Sequence, residues 1–156
     1  MDLIDTIASM KPQVLSVVCV LLSGACQSSV EEDTSDTYED YPTEVLSESG
    51  AFLVSWTSSP DPIVPVELFS VELEVQEADT EMPAGDAVEL GLDVSMPGHG
   101  HGMTVEPVLE KVGEGRWKAS PMKFHMTGYW EMVVSIQQIE GEDQAVFGVA
   151  CCEAPQ

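Results

Sequence analysis

The stretch 87–96 constrains the fold more than any other part of the chain. Val88, Leu90, Leu92, Val94 and Met96 alternate there with Glu89, Gly91, Asp93 and Ser95. Successive side chains of an extended strand point to opposite faces, so this pattern describes a strand with one face on a core and the other in water. A helical period of 3.6 would scatter the same apolar residues around the whole cylinder. The pattern recurs over 66–75, where Phe69, Val71, Leu73 and Val75 oppose Val66, Leu68, Ser70, Glu72 and Glu74. Further strands are expected over 51–56, 104–112, 116–126, 129–139 and 145–151, separated by turn sequences such as Gly113-Glu114-Gly115 and Glu140-Gly141-Glu142-Asp143. No segment carries the spacing of an amphipathic helix. About seven short strands punctuated by Pro and Gly predict an all-β fold, a single immunoglobulin-like antiparallel β-sandwich over 50–156. Trp56, Trp117 and Trp130 are expected to anchor its core or edges.

The N-terminal part reads as an address and a tether. Val14-Leu15-Ser16-Val17-Val18-Cys19-Val20-Leu21-Leu22 has the length of a signal-peptide core and is too short to span a bilayer comfortably. Asp2 and Asp5 put negative charge where a signal needs positive, whereas Met10-Lys11-Pro12-Gln13 supplies a basic start, so translation is expected to begin at Met10. Ser23-Gly24-Ala25 then lead to Cys26 in the manner of a bacterial lipoprotein signal, which makes 1–25 a signal peptide and Cys26 the lipidated first residue of the mature chain. Ser23 stands where such signals usually carry a large aliphatic residue, so cleavage near Cys26 by the ordinary secretory peptidase is the other route, and it also exports the protein. Residues 26–49 are acidic, with Glu31, Glu32, Asp33, Asp36, Glu39, Asp40, Glu44 and Glu48 and no basic residue, and predict a disordered tether kept extended by its own charge. Within it, Tyr38, Tyr41, Val45 and Leu46 are the residues able to dock locally.

With 28 acidic against 5 basic residues, a net charge of −23, the chain repels phosphate backbones, which argues against nucleic-acid binding and leaves cations and basic proteins as the partners its field favours. Chemistry concentrates in Met96-Pro97-Gly98-His99-Gly100-His101-Gly102-Met103, which follows the alternating strand directly. Imidazole and thioether donors together suit copper, thioether favouring Cu(I). On an extended chain His99 and His101 point the same way, and the intervening glycines let them close on one ion. Zinc is the less natural occupant, because structural zinc draws thiolate or carboxylate ligands from separated elements. The competing structural reading is a glycine turn with Met96 packed in the core. A second cluster lies in Phe124-His125-Met126-Thr127-Gly128, where strand geometry sets His125 and Met126 on opposite faces unless the strand ends there. Met126, next to the turn, is the stronger metal candidate and His125 the weaker. The candidate copper ligands are therefore His99, His101, Met96, Met103 and Met126.

Cys19 leaves with the signal and Cys26 is acylated, so Cys151 and Cys152 remain. Adjacent cysteines rarely bridge, because the eight-membered ring strains the intervening peptide. Cys151 continues the apolar alternation of Phe147 and Val149 and is expected in the core, with a soft copper ligand as the other role; Cys152 faces the opposite way.

Several separated motifs occur in the order found in a known family: Asp93-Val94-Ser95-Met96-Pro97-Gly98-His99-Gly100-His101-Gly102-Met103, Pro107-Val108, Gly113-Glu114-Gly115-Arg116-Trp117, and 124–134 beginning Phe124-His125-Met126. Over about 69–149 the chain resembles the YtkA-like domain, related to FixH-type proteins. The resemblance implies a small exported β-sandwich, often lipid-anchored, near copper-handling and respiratory-oxidase functions of the bacterial cell envelope. Thr127 departs from it where the family often has proline.

An enzyme is not expected. The acids form no recognisable acid/base pair, no Gly-rich phosphate loop opens a helix, and no Ser or Cys sits in a nucleophile signature. The sequence points to a lipid-anchored envelope protein that binds copper as carrier or buffer. The alternative is an interaction module that binds no metal and docks onto an envelope membrane complex.

Overall fold

The computed structural model describes residues 41–152. The expected signal peptide, the start at Met10, the lipidated Cys26 and most of the tether lie outside the described residues. Nine strands follow one another without a helix among the described residues: β1 (Glu44–Leu46), β2 (Phe52–Ser59), β3 (Phe69–Glu77), β4 (Glu89–Met96), β5 (His101–Gly102), β6 (Val108–Gly113), β7 (Arg116–Met122), β8 (Gly128–Gln138) and β9 (Gly141–Cys151). They form two antiparallel sheets, one in the order β1-β2-β3-β7-β6 and the other β5-β4-β8-β9.

The alternation read from the sequence sets which face is inside. Val54, Val71, Leu73, Val75, Trp117 and Ala119 of the first sheet meet Val94, Trp130, Met132, Val134, Ile136, Phe147 and Val149 of the second, all buried. Their partners in each strand face outward, as the period of two requires. The hairpin between β6 and β7 depends on Gly115, whose φ is +61° and whose absent Cβ would lie 2.7 Å from the Val75 carbonyl oxygen. Only glycine combines that left-handed backbone with so close an approach.

Two strands exceed the expected seven. β5 has two residues, too few for any periodicity. β1 lies inside the expected tether and pairs with β2 through Glu44↔Ser55, Val45↔Val54 and Leu46↔Leu53. Residues 41–49 thus belong to the sandwich, and the boundary expected at Gly50 falls too late. Acidity misled there because Glu44 and Glu48 face water, while Val45 packs partly against the core and Ser47 is buried. The backbone N–H of Phe52 donates to Ser47 Oγ at 3.0 Å, and the Glu48 N–H donates to the Gln144 carbonyl at 2.8 Å. The segment therefore ties the edge of one sheet to the edge of the other.

Candidate metal centre

The loops that carry the candidate residues meet at one end of the sandwich, where β4 and β9 finish and β8 begins. The turn after β4 is closed by the N–H groups of His99 and Gly100, which both donate to the Met96 carbonyl, at 3.0 and 2.9 Å. Gly100 takes a φ of +68°, open to glycine at no steric cost. The chain then returns as β5, with Met96 opposite His101. Residues directly opposite in an antiparallel pair share a face. Met96 faces the core, so the His101 ring lands on the inner side, over the mouth of the sandwich.

The second loop reaches the same mouth from the other sheet. β7 stops at Met122, short of the expected Met126, and the chain crosses over through 123–127. Phe124 drops into the core and stacks on Trp130 at 4.7 Å between ring centroids, with Phe69 on its other contact at 4.9 Å. Trp130, fully buried, donates its Nε1–H to the Met126 carbonyl at 3.0 Å. Held at Phe124 and at Met126, the loop presents His125 between them. The condition under which His125 and Met126 can serve one site, an early end to the strand, is met.

All three histidines of the chain meet there. The rings of His101 and His125 lie 5.1 Å apart at 35°, and those of His99 and His101 5.7 Å apart. Trp130 touches both His101, at 6.3 Å, and His125, at 5.4 Å. His99 is exposed, and His101 and His125 are half-buried. His101 Nδ1–H donates to the Gly102 carbonyl at 3.1 Å, whereas Nδ1 of His125 is buried and has no hydrogen-bond partner.

The thioethers are distributed unequally. Met126 is exposed in the second loop, next to His125 in the chain. Met103 is half-buried against the core and lines a groove of about 380 Å³ together with Leu92, Val94, Asp93 and Glu106. Met96 lies in the core at 2 % exposure, its methyl close to Gly128, the packing alternative for this residue. Among the described residues no group of three or more His, Cys, Asp or Glu side chains is set to hold a metal ion. The arrangement is an open cluster of imidazoles, not a closed cage.

Cys151 opposes Gly128 in the β8–β9 ladder, so the cysteines share this end of the molecule. Against the expectation that neighbours do not bridge, they are joined by a disulfide across a cis peptide bond. Both are buried, Cys151 in the core as its alternation predicts. In this oxidised form neither offers a thiolate. Tyr129, on the outer face of β8 against Tyr41, has its phenol held above the ordinary value first by burial and then by the Glu131 carboxylate, so it is neutral at physiological pH.

His125, the weaker candidate by sequence, is the residue of the second loop whose ring the structure brings against His101 and Trp130. The signal available was the Phe124 to Gly128 segment: an apolar residue that must go inward, followed by a glycine that ends the crossing. Comparisons with family models, with curated proteins and with solved structures find no match to this chain.

Proposed function

We propose that this protein is an exported, lipid-anchored β-sandwich of YtkA-like kind that binds copper, Cu(I) in preference, and carries or buffers it in the bacterial cell envelope. The observation that supports the reading best is the meeting of two loops, distant in the chain, that put three imidazoles at one open end of the fold, with the exposed Met126 next to His125 in the second loop. Imidazole with thioether is a soft donor set suited to copper. Openness fits transfer, because an incomplete coordination shell admits a partner's ligands before its own are released.

Anaerobic titration of the full chain with Cu(I) tests the proposal. About one equivalent should bind saturably, and His99→Ala combined with His101→Ala should abolish it; binding that survives in the double variant ends this reading and leaves the metal-free interaction module. The anchor is tested separately. Cys26→Ser should move the protein from the membrane fraction to the soluble exported fraction, and unchanged membrane association would remove Cys26 as the attachment point.

A further inference from the structure

We infer that the ion is gripped across the two loops, by Nε2 of His101 and Nδ1 of His125, rather than by the closely spaced pair His99 and His101. The inference rests on the copper reading above and assigns its ligand atoms.

Three observations carry it. First, the His101 and His125 rings are the nearer pair, 5.1 Å against 5.7 Å for His99 and His101. Second, the hydrogen bonding selects the atoms. A carbonyl oxygen only accepts, so the contact between His101 Nδ1 and the Gly102 carbonyl puts the proton on Nδ1 and leaves the Nε2 lone pair free. A backbone carbonyl in this position is the usual device that orients a metal-binding imidazole. Third, Nδ1 of His125 is buried without a partner. Buried polar atoms in folded proteins are nearly always satisfied, so such an atom calls for an explanation, and of the two among the described residues, Trp56 Nε1 and His125 Nδ1, only the second lies beside another imidazole with a free lone pair.

The surroundings of the two rings differ from those of His99 in the same sense. Trp130 lies against both and is itself fixed by Phe124 and by its bond to the Met126 carbonyl, so His101 and His125 are held on one support. His99 is exposed in the turn. Its backbone N–H closes that turn, a role any residue but proline could fill. Two imidazoles from separate loops make a two-nitrogen set appropriate to Cu(I), to which the exposed Met126, next to His125 in the chain, could add a sulfur.

The test uses the full chain under anaerobic conditions, with Cu(I) affinity read by competition against a chromophoric chelator. His125→Ala should weaken binding by at least about tenfold, His125→Gln should do the same with the ring's volume better conserved, and His99→Ala should change affinity less than about threefold. A second readout needs no variant. Cu(I) is diamagnetic, so ring-nitrogen NMR of the wild-type protein should show Nε2 of His101 and Nδ1 of His125 shifting on loading, and the His99 nitrogens staying in place. Wild-type affinity in both His125 variants with loss in His99→Ala, or loading shifts on His99 in place of His125, overturns the inference while leaving copper binding intact. Absence of Cu(I) binding by the wild-type chain overturns the copper reading itself.

Discussion

Asp143 is the only buried carboxylate among the described residues, 8 % exposed at the start of β9. It holds the N-terminal segment: the Ser49 N–H and hydroxyl donate to it at 3.1 and 2.6 Å, and the Gln144 N–H at 2.9 Å. Burial alone pushes its carboxyl up, but the bonds from Ser47, Ser49 and Gln144 outweigh that and hold it below the ordinary 3.8. A carboxyl lowered by folding contributes stability that is fully present above the unfolded value and is lost as pH falls through the folded one. Asp143→Asn should therefore cost about 1–2 kcal/mol at pH 7, the worth of charge-assisted over neutral hydrogen bonds. The gap from wild type, measured by urea unfolding, should narrow as pH drops below about 4. Taking the difference between the two proteins cancels the titration of the many other acids. A gap independent of pH would mean that the charge on Asp143 is not what Ser47 and Ser49 recognise.

Strands long enough to show a period were legible from the sequence. β3, β4, β8 and β9 each display inward residues at every second position, and their faces follow from that alone. β5 was not legible, because two residues carry no period and its pairing depends on the turn that precedes it. The end of β7 was misplaced because Met122, Phe124 and Met126 continue the alternation on paper. In the fold Phe124 keeps its place in the core by leaving the sheet, and Pro121 offers no N–H to extend the ladder. The site divides in the same way. His99 and His101 were visible as a spacing, since local geometry decides what two residues in one turn can do. The approach of His125 to His101 was not, since it depends on how the crossing from β7 to β8 brings one sheet's end over the other's. Met96 was ambiguous for a physical reason: a thioether serves equally as ligand and as core filler, and only the register of β4 against β8 shows it filling the core.

At the scale of the whole molecule, the unexpected part is that the sandwich is closed along one side by residues 41–49. β1 covers the edge of β2, Glu48 and Ser49 bond to residues at the start of β9, and Tyr41 packs against Tyr129 with ring centroids 5.4 Å apart. Gly148 makes room for this, as a Cβ there would lie 2.5 Å from the Tyr41 ring. Uncovered sheet edges are sites of non-native pairing, and the segment replaces the eight-residue edge of β2 with the three-residue edge of β1. A chain beginning at Gly50 should accordingly be less stable than one beginning at Asp40 by about 3 kcal/mol or more, from the lost burial of Val45 and several hydrogen bonds. For a domain of this size that lowers the melting temperature by about 10 °C or more. The shorter chain should also associate at concentrations where the longer one stays monomeric, because β2 then presents an open edge beside an anionic surface reduced by the loss of Glu44 and Glu48. Equal melting temperatures for the two chains would show that 41–49 is tether after all, and that Asp143 and Gly148 owe their positions to something other than this strap.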